Sequence, residues 1–154
     1  MGKNQGERWF VEYAALFIKG YNLCCRWAST KHTTYPNILL LMELYVRGGC
    51  EAAELADHLY LPRQTMTYML DSLEKEGNIY RESHPTDRRR KIIRLTERGK
   101  GFTKGIIEEL GTEFLGFTQN LPHDKEILLS AVKDFVKELE EKLDLQSGGE
   151  KERA

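Results

Sequence analysis

Apolar residues along this chain recur mostly at spacings of three and four, the period of an amphipathic helix. Trp9, Phe10, Tyr13, Phe17, Tyr21, Cys24 and Trp27 predict one long helix from Glu7 to about Lys31. Thr33-Thr34-Tyr35-Pro36 ends it and starts a second, carrying Ile38, Leu39, Leu41, Met42, Tyr45 and Val46 and closed by Gly48-Gly49. A short third helix, Glu51 to Leu59, turns Leu55, Ala56 and Leu59 inward. Its start has the spacing of a capping box but no Ser or Thr, so a weak cap is expected. Tyr60-Leu61 reads as a turn. Pro62 then opens a fourth helix striped by Met66, Met69, Leu70 and Leu73 and ended by Gly77.

The period then switches to two. Asn78 to Glu82 predicts a strand, Ser83 to Arg90 a loop, and Lys91 to Leu95 the return strand. Thr96 caps a fifth helix, with Glu97 at its positive end, running to roughly Asn120. Pro122 begins a sixth, whose stripe is Ile127, Leu128, Ala131, Val132, Phe135, Leu139 and Leu143, and Gln146 to Ala154 is a polar, fraying end. The fifth helix holds Gly99, Gly101, Gly105, Gly111 and Gly116, which permit either close packing or a bend.

Composition changes this picture little. The chain has 154 residues, 40% hydrophobic and 31% charged, about one domain's worth of an ordinary globular protein. No apolar run approaches the roughly 20 residues that span a bilayer. The opening MGKNQGERW lacks the apolar core of a secretory signal, so a cytoplasmic protein with no membrane partner is expected. Cys24, Cys25 and Cys50 are an odd number without framework spacing, as in a reducing compartment.

Charge changes it more. The total is −1, yet residues 61–100 carry +4 and residues 101–154 carry −5. The positive charge peaks at Arg88, Arg89, Arg90 and Lys91, the tip of the predicted hairpin. Helix, then hairpin, then basic tip is the layout of a winged helix-turn-helix, a fold that is mainly α with a small β-hairpin wing. Local field counts for more than net charge in attracting phosphates.

The motifs Leu73-Glu-x-x-Gly77-x-Ile79-x-Arg81, Asp87-x-Arg89 and Leu95-Thr96-x-x-Gly99, within residues 48–100, resemble the MarR family of bacterial transcription regulators. The helices before and after match in number, so the resemblance covers about residues 7–145. It implies a homodimer, with residues 1–34 and 101–154 as N- and C-terminal dimerisation helices and residues 35–100 as the winged DNA-binding domain. It also implies a pseudo-palindromic site on double-stranded DNA and, as in many members, release by a small aromatic or phenolic effector or by an oxidant; a repressor released by an aromatic or phenolic effector is expected here. Two departures stand out. Tyr68 stands where members often carry Arg or Lys, and tyrosine cannot make the bidentate guanine contact. Cys24 and Cys25 lie near the end of the first helix, whereas peroxide-sensing members place theirs near its start.

The exposed face of the fourth helix supplies the candidate DNA contacts. Arg63, Gln64 and Thr67 are the base-edge candidates, Thr65 faces phosphate, and Tyr68 adds an aromatic contact. Arg88, Arg89 and Arg90 form the wing tip, with Arg89 aimed at a minor groove and Asp87 orienting the loop. Tyr13, Phe17, Tyr21 and Tyr35 are the candidate effector-binding residues, although aromatics serve equally as core or interface. His32, His58, His84 and His123 have no metal-ligand spacing, so neither metal nor cofactor is expected. No catalytic constellation stands out, and the chain is read as a non-enzyme. The alternatives are a redox regulator acting through Cys24, Cys25 or Cys50, and a winged-helix protein-interaction module that binds no DNA.

Overall fold

The computed structural model describes residues 3–87, 89–119 and 125–142. The expected wing contact Arg88, the helix start at Pro122, His123, Leu143 and the tail from Gln146 lie outside the described residues. Among the described residues, six helices and three short strands follow in order: α1 (Lys3–Thr30), α2 (Tyr35–Arg47), β1 (Cys50–Glu51), α3 (Ala52–His58), α4 (Arg63–Lys75), β2 (Ile79–Ser83), β3 (Lys91–Leu95), α5 (Glu97–Gln119) and α6 (Lys125–Lys142). The chain divides into two compact units after Glu43.

The first unit holds α1 and most of α2. Thr34 caps α2, its hydroxyl accepting the Asn37 N–H at 3.3 Å. Ile38, Leu40 and Leu41 are fully buried. Along α1 the burial stops at Ala28; Trp9, Phe10, Val11, Leu16, Phe17, Ile18 and Leu23 are all exposed.

The second unit carries the winged helix-turn-helix. Its core is the apolar stripe of α4, Met66, Met69, Leu70 and Leu73, with Leu55 and Ala56 of α3 and Ile79, Ile93 and Leu95 of the sheet. Helix α4 ends as its glycine predicts. Gly77 sits at φ 74, and the Asn78 N–H turns back to the Leu73 carbonyl at 2.9 Å, satisfying a carbonyl the helix leaves open.

The hairpin gains a strand that the sequence pattern did not reveal. Cys50 pairs with Ile93 and Glu51 with Ile92, so the sheet runs β1-β3-β2, antiparallel throughout. A two-residue strand is too short to show a period. It also shortens the expected third helix, because Glu51 is extended and α3 begins at Ala52. The capping box forms there with glutamate in place of Ser or Thr, the Glu54 carboxylate accepting the Glu51 N–H at 3.1 Å.

The joint between sheet and α5 explains one of the five helical glycines. The Thr96 hydroxyl accepts the Gly99 N–H at 3.0 Å and donates to the Gly77 carbonyl at 2.7 Å, and the Thr96 N–H reaches the Asn78 carbonyl at 3.0 Å. This draws the first turn of α5 onto the Asn78 backbone. A Cβ at Gly99 would lie 1.9 Å from the Asn78 carbonyl oxygen, whereas one at Gly101, Gly105, Gly111 or Gly116 meets nothing within 4 Å.

Gly99→Ala is therefore expected to destabilise the fold by roughly 1–3 kcal/mol, the usual cost of forcing atoms into packed space. Gly105→Ala, in an open helical position, is expected to stabilise it by about 0.5–1 kcal/mol. Denaturant midpoints of the two variants should move in opposite directions; equal shifts would contradict this account of Gly99.

Candidate nucleic-acid interface

Burial of one stripe of α4 leaves its opposite face in solvent. Gln64, Thr65, Thr67 and Tyr68 are all exposed, Tyr68 by 77%. The Thr67 hydroxyl donates back to the Arg63 carbonyl at 3.0 Å. Arg63 itself is engaged. Its Nη2 donates to both carboxylate oxygens of Asp57 on α3, at 2.8 and 3.0 Å.

The wing is held by hydrogen bonds to its own backbone. The His84 N–H reaches the Arg90 carbonyl at 3.1 Å, the Arg90 N–H reaches the Asp87 carbonyl at 3.0 Å, and Asp87 Oδ1 accepts the Arg89 N–H at 2.9 Å. The Arg90 side chain turns back onto Glu51, with Nε donating to Oε2 at 2.9 Å and Nη2 pairing with the other oxygen. Glu51 raises the Arg90 pKa, chiefly through the hydrogen bond. Arg89 differs: it is exposed, and its guanidinium has no carboxylate partner among the described residues.

Two further arginines, with no role assigned from their position in the sequence, organise this surface. Arg81 of β2 bridges to α4, with Nη1 on Glu74 and Nη2 on Asp71, each at 2.6 Å. Cross-strand register explains why it can. Arg81 stands opposite Ile93, on the sheet face whose neighbours Ile79 and Leu95 are buried, so its side chain points toward α4. Arg94, on the other face opposite Tyr80, pairs with Glu82 and donates to the Gly48 carbonyl at 2.6 Å. A groove of about 400 Å³ runs between α4 and the wing, lined by Thr67, Asp71, Arg81, Arg89 and Lys91 among others. The structure thus brings Thr67 and Arg89 to one groove, while Arg63 and Arg90 are drawn toward α3 and β1.

The four candidate effector residues lie in the first unit. Trp9 stacks on Tyr13 with ring centres 5.5 Å apart, and Tyr13 on Phe17 at 6.2 Å, one helical turn at each step. Tyr21 meets Tyr35 edge-on at 5.9 Å. Half-buried Cys24 and Cys25 belong to the same cluster. The Tyr35 phenol is pushed up to about 12, first by burial and then by Cys24, Cys25 and Tyr21. Tyr21 is also raised, mainly by its hydrogen bond with Cys25. No group of three or more metal-binding side chains gathers among the described residues.

Residues 33–91 match the model of the MarR family. The organic hydroperoxide resistance transcriptional regulator of Bacillus subtilis (strain 168) is 31% identical over 109 residues, 71% of this chain and 74% of that relative. The chain belongs to the MarR family of transcriptional regulators. A second relative, the HTH-type transcriptional regulator MhqR of the same organism, is 31% identical over 84 residues, 54% of this chain and 58% of its own length. Among solved structures, a mutant of MarR from E. coli complexed with operator DNA shares the fold at a TM-score of 0.72 and 22% identity, over 86% of this chain and 96% of that one. BldR of Sulfolobus solfataricus does so at 0.71 and 19% identity, over 89% and 99%. Within this family chain, the sequence motif containing Arg81 was visible, but its partners Asp71 and Glu74 emerge only once β2 is folded against α4.

Tyr35 gives a test of the aromatic cluster. The unfolded chain loses this proton near pH 10 and the folded chain near 12, so the unfolded state binds fewer protons in that window. Stability is therefore expected to fall as pH rises from about 10 to about 12, and Tyr35→Phe should remove part of that slope. Unfolding midpoints measured across the window check it; an identical slope in the variant would contradict the placement of Tyr35.

Proposed function

We propose that this chain binds double-stranded DNA sequence-specifically as a homodimer, acting as a repressor on pseudo-palindromic sites and released by a small aromatic or phenolic effector. The observation that carries the reading is the groove that brings Thr67, on the outward polar face of α4, together with Arg89 and Lys91 of the wing. A helix with polar groups on its free face fits a major groove, and an arginine without a carboxylate partner among the described residues, one strand-loop away, fits the neighbouring minor groove. Residues 35–100 are the reading domain, with Gln64, Thr65, Thr67 and Tyr68 on the bases and backbone and Arg88 and Arg89 at the wing. Arg63 and Arg90, whose own side chains are about half exposed, join them by exchanging Asp57 and Glu51 for DNA.

Residues 1–34 and 101–154 supply the dimer contact in this reading. On α6, Ile127, Leu128, Leu129, Val132, Phe135, Val136 and Leu139 are 37–65% exposed, an apolar surface that a second copy would cover. Tyr13, Phe17, Tyr21 and Tyr35 are the proposed effector contacts. A second reading, thiol-based redox control, draws on Cys24 and Cys25 beside Tyr21 and Tyr35 and on the relative named for organic hydroperoxide resistance. Loss of DNA binding on hydroperoxide treatment, abolished by replacing both cysteines with serine, would favour it.

Two measurements test the main reading. Light scattering at micromolar concentration should give twice the chain mass of 17.9 kDa; a monomer mass contradicts it. Affinity for a duplex that the protein selects from a random pool should fall steeply with salt. Arg89→Ala should weaken binding and flatten that slope by about one phosphate equivalent or less, since a groove-inserted arginine is only partly a phosphate contact. Binding that ignores salt, or an unchanged variant, rejects the wing assignment.

A further inference from the structure

The turn between α3 and α4 holds a residue that its backbone does not favour. Tyr60 lies at φ 51, in the left-handed region. It follows the cap of α3, where the Leu61 N–H turns back to the Ala56 carbonyl at 2.9 Å. Glycine is the usual occupant of such a position, and helix-turn-helix turns often contain one, because a Cβ there crowds the backbone. A bulky aromatic is an outlier and points to a compensating contact.

The compensation is visible. The Tyr60 hydroxyl donates to Glu140 Oε1 on α6 at 2.7 Å, across 80 residues of sequence. That hydrogen bond raises the Tyr60 pKa. Glu140 neighbours Leu139, at the end of the exposed apolar stripe of α6. Tyr60 stands three residues before the first residue of α4. One side-chain contact therefore ties the helix with the exposed apolar stripe to the turn that launches the reading helix.

We propose that Tyr60 and Glu140 are positioning residues, whose hydroxyl–carboxylate link fixes the angle between α6 and α4 and so sets the spacing of the two α4 helices in a dimer. The inference rests on the dimeric DNA-binding reading above. Recognition helices of such dimers engage half-sites about one helical turn apart, so loss of the link should cost spacing discrimination as well as affinity.

The test uses the full-length chain and duplexes that the wild type selects from a random pool, with copies whose half-sites are moved one base pair closer or further apart. Tyr60→Phe and Glu140→Ala should each lower affinity for the selected duplex about three- to tenfold and narrow the difference between spacings. The double variant should be no worse than either single one, as for partners in one contact. Glu140→Gln, which keeps an acceptor oxygen, should restore most of the affinity. Tyr60→Gly should leave the unfolding midpoint unchanged or higher, by relaxing the turn, yet still lose spacing discrimination. Full affinity and unaltered spacing preference in Tyr60→Phe and Glu140→Ala would overturn this inference alone. A wild-type chain that enriches no duplex would overturn the functional reading, and the inference with it.

Discussion

The apolar stripe of α4 constrains the reading side of this molecule. Met66, Leu70 and Leu73 are each 1% exposed or less, and they sit on one side of a helix with 3.6 residues per turn. Rotating α4 about its axis would lift these side chains into water, at about 1.5–3 kcal/mol for each fully buried side chain exposed. Gln64, Thr65, Thr67 and Tyr68 therefore have to face outward. Arg81 fixes the second coordinate by bridging Asp71 and Glu74, which sets β2, and the wing that follows it, against the same helix. Reading helix and wing are held in one arrangement by a core on one side and an ion-pair bridge at the edge.

Much of this was legible in the sequence. Period, together with the prolines, glycines and threonine that bound the segments, located the six helices and both long strands. Gly77 announced the end of α4 and Thr96 the start of α5, because these residue types act through their own backbone or hydroxyl. What escaped prediction depends on residues far apart in the chain. The strand Cys50–Glu51 exists only through β3. Gly99 is required by Asn78, 21 positions away, whose carbonyl fills the space a Cβ would need. The other four glycines of α5 meet nothing within 4 Å, and nothing in their surroundings accounts for them.

The site shows the same division. Counting charges gives residues 61–100 a surplus of +4, which marked the segment correctly as the basic one. The count does not show how the charges are paired. Arg63, Arg81, Arg90 and Arg94 each meet a carboxylate, two of those carboxylates lying on α3 and β1, outside the segment. The basic surface is thus partly self-neutralised, and Arg89 stands out as an exposed guanidinium without such a partner among the described residues. Ion pairs at a solvated surface are weak, so they orient their arginines without locking them away from a polyanion. The solvent face of α4 between these pairs is chemically mild: two threonines, a glutamine and a tyrosine.

In the proposed complex, α4 and the wing together face duplex DNA, twice per dimer. Hydroxyl-radical footprinting of the full-length protein on a duplex it has selected tests this most directly. Two protected patches are expected on one face of the duplex, centred about 34 Å or one helical turn apart, each flanked by minor-groove protection that Arg89→Ala removes. A single patch, continuous protection along the duplex, or a wing variant with an unaltered footprint would contradict it.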